Sequence, residues 1–173
     1  ATFEIIPFAV ETRVGERRTE AGIENRITCQ VLDQTGEPIQ DLAARPEIHP
    51  DTGFERTEAG AIGKLARDYE VVCAANSLGL RDPTPATWTV TPGPAVRSAV
   101  YPSAVVLEAG EQVEIECEAF DAFGNMIPEP DTSVVFDPPP RGLDRRGNLY
   151  RIDGAGTFAV SCAVPGVEET PGV

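Results

Sequence analysis

The sequence predicts an all-β protein that consists of two tandem β-sandwich domains. Three observations carry this prediction: scattered Gly and Pro, an internal repeat, and a period of two around the cysteines. The chain has 16 Gly and 16 Pro among 173 residues, so it is interrupted too often for long helices and suits short strands joined by tight turns. One small sandwich takes roughly 100 residues, and the length therefore fits two compact copies.

The composition allows a core in each half and excludes several classes of partner. Hydrophobic residues make up 41% of the chain and charged residues 24%, which is ordinary for globular protein. The net charge is −14, from 28 acidic and 14 basic residues. Such acidity repels phosphate backbones and anionic lipid headgroups, so we expect no nucleic-acid partner. No apolar run reaches about 18 residues, so we expect no direct membrane insertion.

The internal repeat has an offset of 88 residues over its first part. Residues 20–22 and 108–110 are both Glu-Ala-Gly, and Cys29 recurs as Cys117. The same offset relates three further pairs: Asp33 and Asp121, Gly36 and Gly124, and Ile39 and Ile127. Two copies of one fold explain this agreement.

Each half holds one early and one late cysteine at nearly equal spacing, 44 residues from Cys29 to Cys73 and 45 from Cys117 to Cys162. Of the three connectivities that four cysteines allow, the repeat favours Cys29–Cys73 and Cys117–Cys162. Unpaired buried thiols and a zinc site are the alternatives, but the chain has no CxxC spacing and a single histidine. Disulfides predict an oxidising compartment, which means secretion, a cell surface or a bacterial periplasm.

Polar and apolar residues alternate around the cysteines, as expected of half-buried strands. The inward positions beside the cysteines are Val113, Ile115 and Ala119, Ile27 and Val31, Tyr69 and Val71, and Phe158 and Val160. The opposite face near Cys117 carries Glu114, Glu116 and Glu118. We interpret this acidic face as a solvated surface, with a cation site as the alternative.

With these motifs the chain resembles tandem bacterial immunoglobulin-like repeats, the superfamily that includes invasin and intimin-type adhesins. Its "V-x-A-G … D-x-x-G-N-x-I" pattern corresponds here to Leu-Glu-Ala-Gly at 107–110 and Asp-Ala-Phe-Gly-Asn-Met-Ile at 121–127, and the match covers about half of each repeat. The resemblance implies two immunoglobulin-like sandwiches, each with one intersheet disulfide. No Trp lies between the paired cysteines, and Val71 and Val160 stand where antibody domains have a corner Tyr, so antibody-like loops are not expected.

A domain boundary is predicted at Thr-Pro-Gly-Pro, residues 91–94, which divides the chain into domains 1–91 and 92–173. The short, proline-stiffened linker suits a rod-like array. Residues 86–90 look like the last strand of the first domain, whereas only 11 residues follow Cys162. We therefore expect the second domain to lack its final strand in a fragment of a larger surface protein, with a shorter completion by residues 163–173 as the alternative.

The sequence nominates no catalytic group. The sole histidine, His49, lies between prolines in a predicted loop, and no G-x-S-x-G elbow or phosphate-binding glycine loop is present. The acidic residues form no pair at a recognisable spacing for glycoside hydrolysis. We expect a protein that is not an enzyme.

Calcium is the only cofactor that the sequence brings into consideration, through Asp33 and Asp121, with Asp131 and Asp153 as further oxygen ligands. The EF-hand spacing is absent. Because Asp33 and Asp121 open equivalent turns, we expect their carboxylates to accept N–H groups of those turns, and we expect no cofactor.

Weak binding candidates lie in the second half at Pro139, Arg141, Arg145 and Arg146, in a stiff stretch that leads into a predicted loop. The alternative is that the prolines protect a strand edge from aggregation. Trp88 shares a face with apolar neighbours and is predicted to be core rather than a sugar-binding aromatic.

The sequence thus favours a non-catalytic structural or adhesive module of a larger secreted or cell-surface bacterial protein. We expect it to serve as a spacer or as a protein-binding surface, with a protein partner or neighbouring repeats of the same chain. The alternative function is a carbohydrate- or calcium-binding accessory module of an extracellular enzyme.

Overall fold

The computed structural model describes residues 7–167, and this part of the chain contains fifteen β-strands and one short 3-10 turn. The predicted all-β class is confirmed. The chain divides into two compact units, Ala1–Pro92 and Gly93–Val173. The predicted domains, 1–91 and 92–173, differ from these units by one residue.

The first unit contains nine strands and the 3-10 turn Asn76–Leu78. The strands are β1 Ala9–Val14, β2 Arg18–Glu20, β3 Glu24–Leu32, β4 Arg45–His49, β5 Phe54–Arg56, β6 Gly60–Gly63, β7 Arg67–Ala75, β8 Leu80–Arg81 and β9 Ala86–Thr91. They form two sheets in the orders β1-β3-β6-β5 and β2-β9-β7-β4, and β8 also pairs with β7. The β2–β9 pair is parallel, and the other strand pairs are antiparallel.

A disulfide joins the two sheets of the first unit. Cys29 lies on β3 and Cys73 on β7, and their Cα atoms are 5.5 Å apart, within the usual range for a disulfide. The predicted intersheet pairing is therefore present.

The core of the first unit is built around Trp88, which is completely buried on β9. Its ring lies 5.1 Å from the ring of Tyr69 on the neighbouring strand β7, and Ile48 and Val71 belong to the same apolar cluster. The prediction that Trp88 is core is confirmed. Its indole N–H donates to the hydroxyl of Thr19 at 2.9 Å, which satisfies the polar atom that burial of a Trp brings into a core.

The second unit contains six described strands. They are β10 Arg97–Pro102, β11 Gln112–Phe120, β12 Ser133–Asp137, β13 Leu143–Arg146, β14 Leu149–Ile152 and β15 Ala159–Ala163. One sheet has the order β10-β11-β14-β13, and the other pairs β12 with β15. Cys117 on β11 and Cys162 on β15 join the two sheets, with their Cα atoms 5.8 Å apart.

The two halves that repeat in the sequence also pair their cysteine-bearing strands in the same register. Thr12 pairs with Cys29 between β1 and β3, as Val100 pairs with Cys117 between β10 and β11. In the other sheets, Pro46 pairs with Cys73 and Val134 pairs with Cys162. Equivalent residues are therefore 88 positions apart through β4 and β12, and 89 positions apart at the late cysteines.

The two units differ in one sheet. In the first unit, β7 is flanked by β4 on one side and β9 on the other. In the second unit, β15 pairs with β12, and residues 7–167 supply no counterpart of β2 or β9. Part of the predicted shorter completion, residues 168–173, lies outside the described residues.

Two local predictions are corrected by the structure. His49 ends strand β4 and is exposed, instead of lying in a loop. Arg145 and Arg146 lie on β13, an edge strand, because Gly-Asn at 147–148 closes a tight hairpin with β14. Residues 138–140, the three prolines, follow the edge strand β12 and connect it to β13.

Candidate functional site

All four cysteines are in the two disulfides, so the chain offers no thiol for metal binding or nucleophilic chemistry. A disulfide over about 45 residues typically contributes roughly 3 to 4 kcal/mol of stability, mainly by restricting the unfolded chain. The cysteines therefore hold the sheets together.

The carboxylate of Asp33 is engaged by its own turn. Its Oδ1 accepts the backbone N–H of Thr35 at 2.8 Å, the Thr35 hydroxyl at 2.7 Å and the backbone N–H of Glu37 at 3.0 Å. The hydrogen bond from the Thr35 side chain is the main cause that lowers the pKa of Asp33. This is the turn role that the sequence predicted.

Asp121 makes the equivalent turn in the second unit but is far more buried, at 2% exposure. Its Oδ1 accepts the N–H groups of Phe123 and Asn125, and its Oδ2 accepts the Asn125 side-chain amide at 2.7 Å and the N–H of Gly93 at 2.9 Å. Burial alone would raise the pKa of Asp121, but these hydrogen bonds outweigh it and lower the pKa. The buried negative charge is thus stabilised by N–H donors of its own unit.

The predicted oxygen ligands are not brought together. Among residues 7–167, no group of three or more His, Cys, Asp and Glu side chains is placed to hold a metal ion. Asp153 faces Arg151 instead, with Arg151 Nε donating to its Oδ1 at 3.1 Å. Turn hydrogen bonds occupy the carboxylates of Asp33 and Asp121, which leaves the arrangement poorly suited to the six to eight oxygens that calcium takes.

The basic binding candidates of the second unit are also dispersed. Pro139 and Arg141 lie in the connection before β13, while Arg145 and Arg146 are successive residues of that strand and so point to opposite faces. Arg145 lies 5.5 Å from the Tyr150 ring centroid. Arg146 is 3.8 Å from the carboxylate of Asp144, with both side chains exposed. Arg145 and Arg146 therefore do not share one face of β13.

The second unit contains a groove that was not predicted from the sequence. It encloses about 620 Å³ and opens beside β15, between the sheet that contains β10, β11 and β14 and the sheet of β12 and β15. Its floor is apolar and is formed by Val113, Ile115, Phe136, Phe158 and Val160. A groove of this composition can bind apolar side chains.

The rim of the groove exposes large apolar residues. Val105 is 90% exposed, Val106 86% and Leu107 38%, and these three consecutive residues line one wall. Glu108 and Glu111 add carboxylates at the same wall. Contiguous exposed apolar surface of this kind is typical of interaction sites. The sequence signal that could have indicated this apolar rim is the run Val-Val-Leu at residues 105–107, which has no strand partner.

The groove lining contains no histidine or cysteine. The only histidine, His49, belongs to the first unit, where it is exposed at the end of β4 opposite Glu70. No helix in residues 7–167 is long and apolar enough to cross a membrane.

Comparison with solved structures finds a bacterial adhesin with a similar fold. The Escherichia coli adhesin FdeC matches with a TM-score of 0.54 and 17% identity, over 95% of this chain and 62% of the FdeC chain. The Yersinia pseudotuberculosis adhesin InvE matches with a TM-score of 0.45 and 12% identity, over 90% of this chain and 58% of its own. The chain thus spans less than two thirds of either structure.

No protein-family model and no curated protein sequence matches the chain. At 17% identity, the likeness to FdeC concerns the fold. Together with the two intersheet disulfides, it confirms the predicted resemblance: the chain has the fold of tandem bacterial immunoglobulin-like domains.

Proposed function

We propose that this chain is a non-catalytic structural or adhesive module of a secreted or cell-surface protein, and that it acts as a spacer with a protein-binding surface. The observation that carries the proposal is the pair of disulfide-bridged immunoglobulin-like units, in a fold shared with a bacterial adhesin over 95% of the chain. Disulfides also fit an oxidising compartment outside the cytoplasm.

The spacer role rests on how the disulfides are placed. Each one bridges the two sheets of its unit, from β3 to β7 and from β11 to β15. The two strands that carry the cysteines therefore stay linked unless a covalent bond breaks. A covalent link of this kind does not depend on a bound metal, which suits a protein exposed to variable ionic conditions.

The protein-binding role rests on the groove of the second unit and its apolar rim. The net charge of −14 disfavours nucleic acid and anionic lipid as partners, whereas apolar walls around about 620 Å³ suit a polypeptide. A protein partner or a neighbouring repeat of the same polypeptide is the kind of ligand that we propose.

The experiment that separates this function from a carbohydrate- or calcium-binding accessory role is a glycan array together with a calcium titration of the purified chain. We expect no glycan signal, and we expect the same melting temperature with calcium as with EGTA, because turn N–H groups occupy Asp33 and Asp121. A melting temperature that rises with calcium and no longer does so in Asp33→Asn or Asp121→Asn would favour the accessory role. Asp68→Asn, an exposed change elsewhere on β7, is the matched control.

A further inference from the structure

We propose that the carboxylate of Asp121 is a linker clamp, which holds the backbone of Gly93 and so restricts how freely the two units reorient about the joint that connects them. The proposal deepens the proposed spacer role, on which it rests for its purpose. Its test measures motion in the absence of any ligand, so a failure of the clamp and a failure of the spacer role give different results.

The first unit holds the chain as far as Thr91, the last residue of β9. The carbonyl of Thr91 accepts the N–H of Ala21 at 2.8 Å, and its hydroxyl donates to Thr19 O at 3.3 Å. The unattached part of the joint therefore begins at Pro92, whose ring already fixes φ.

The second unit takes hold of the chain at the next residue. Gly93 donates its N–H to Asp121 Oδ2 at 2.9 Å. Pro94 has no N–H to donate, and the next hydrogen bond in the described part of the chain that attaches the linker to this unit runs from Val96 N–H to Phe120 O at 2.9 Å. The Asp121 carboxylate thus shortens the unattached segment from residues 92–95 to Pro92 alone.

The two oxygens of Asp121 have different partners, which separates the clamp from the turn. Oδ1 accepts the backbone N–H groups of Phe123 and Asn125 at 2.9 Å each, so this oxygen holds the turn. Oδ2 accepts the side-chain amide of Asn125 at 2.7 Å as well as the N–H of Gly93. The Asn125 amide therefore holds the carboxylate in the orientation that presents Oδ2 to the linker.

The equivalent aspartate of the first unit shows which contacts belong to the turn alone. Asp33 Oδ1 accepts the N–H groups of Thr35 and Glu37, as Asp121 Oδ1 does in its own turn. Glu37 occupies the place of Asn125 in the repeat and has no side-chain amide that could donate to the second oxygen. Asp33 is also only partly buried. The clamp is thus an addition to a turn that forms without it.

Burial gives the linker contact its strength. Asp121 is 2% exposed, so water has little access to replace the N–H of Gly93. A hydrogen bond to a charged acceptor is also roughly twice as strong as one between neutral groups. Relative motion is the default for two units joined by a linker, so a buried, charge-assisted hydrogen bond on that linker opposes the motion directly.

The test is backbone NMR relaxation of the complete chain, which gives a rotational correlation time for each unit. In the parent chain we expect both units to tumble slowly, as parts of the whole chain. Asp121→Asn should place a side-chain N–H group opposite the N–H of Gly93, while the remaining oxygen can still hold the turn. Both correlation times should then fall, by up to about twofold, because each unit is about half of the chain.

Asp33→Asn is the matched control, because it makes the same chemical change in the equivalent turn and leaves the linker contact in place. Insertion of Gly-Ser-Gly-Ser between Pro92 and Gly93 provides the reference for a loose joint. A further variant replaces the amide bond between Pro92 and Gly93 by an ester, which removes the Gly93 N–H and keeps Asp121 with its turn. The ester variant decides the outcome if Asp121→Asn does not fold.

Shorter correlation times in Asp121→Asn and in the ester variant, with Asp33→Asn unchanged, would support the clamp. Parent values equal to those of the insertion variant would overturn it, because the joint would already be loose. Ester values equal to the parent values would also overturn it, since the prolines alone would then account for the stiffness. An equal effect of Asp33→Asn would assign the change to the turns and not to the linker contact.

Discussion

Trp88 donates its indole N–H to the hydroxyl of Thr19 at 2.9 Å, and both side chains are buried in the first unit. The two residues lie on β9 and β2, whose parallel pairing closes one edge of the sheet. Because a buried N–H without an acceptor costs about 1–3 kcal/mol, this hydrogen bond connects the stability of the core to the attachment of β2.

We therefore predict that Thr19→Val, which keeps the shape but removes the acceptor, destabilises the chain by about 1–3 kcal/mol. Thr19→Ser keeps the hydroxyl and should lose much less. Urea unfolding followed by Trp88 fluorescence measures both, since Trp88 is the single tryptophan. Equal losses in the two variants would mean that the hydrogen bond contributes nothing specific.

A second prediction concerns the close approach of Gly63 to β9. A Cβ at Gly63 would lie 2.4 Å from Val90 Cγ2 and 3.1 Å from Trp88 Cζ2. Gly63→Ala should therefore destabilise the first unit by about 1–3 kcal/mol through overpacking. Thermal and urea unfolding provide the measurement.

The matched control for Gly63→Ala is Val90→Ala, which removes the side chain that the new Cβ would meet. If the contact is the cause, the double variant should lose less stability than the sum of the two single losses. If the loss of the double variant equals the sum of the two single losses, the destabilisation by Gly63→Ala has another cause, for example a change in the backbone of β6.

The architecture could be predicted from the sequence because its signals are local or repeated. Alternation around the cysteines placed β3, β7 and β11, and the repeat selected the disulfide pairing that the structure has. The hydrogen bond between Thr19 and Trp88 could not be predicted in this way. It joins residues 69 apart in sequence, and its formation depends on the register of a parallel pair that no local pattern specifies.

The errors arose where prolines and glycines occur at sheet edges. Pro46 and Pro50 suggested a loop around His49, but β4 is an edge strand, where a residue without an N–H is tolerated. The Gly-Asn pair at 147–148 is a hairpin signal that would have placed Arg145 and Arg146 on a strand. The groove was missed because its lining residues come from separate strands and connections, between Val100 and Val160, that no local pattern brings together.

The disulfides give a third prediction, which concerns force. When the chain is pulled from its termini, the residues between Cys29 and Cys73 and between Cys117 and Cys162 cannot extend, with sequence separations of 44 and 45. Unfolding of each unit should therefore release a contour length shorter by about 150 Å, at roughly 3.3–3.6 Å per residue. Single-molecule extension with and without a reducing agent measures the difference.

Reduction should restore the missing length in two equal steps, one for each unit. The double variant Cys117→Ala with Cys162→Ala should lack the reduction-dependent length increase of the second unit only. The corresponding double change at Cys29 and Cys73 should lack that of the first unit only. Non-reducing mass mapping that linked Cys29 to Cys117, or that found free thiols, would contradict the pairing on which this prediction rests.

The fourth prediction is a pH dependence that originates at Asp121. Its pKa in the folded state is below its ordinary value of 3.8, because donors from Asn125, Gly93 and Phe123 stabilise the carboxylate despite its burial. A group with a lowered folded-state pKa contributes stability that is fully present above 3.8 and is lost as the pH falls through the folded-state value. The free energy of unfolding should therefore decrease below pH 3.8.

Asp121→Asn should reduce the loss of stability at acidic pH, since an amide does not titrate. The same change should lower the free energy of unfolding at neutral pH, because it replaces an acceptor oxygen with a donor. Asp33→Asn is the matched control, because Asp33 makes the equivalent turn with an exposed carboxylate, where solvent screening leaves a smaller contribution. Urea unfolding from neutral to acidic pH, with both variants beside the parent chain, provides the measurement. If Asp33→Asn reduced the loss of stability at acidic pH as much as Asp121→Asn does, the pH dependence would not originate specifically at the buried carboxylate of Asp121.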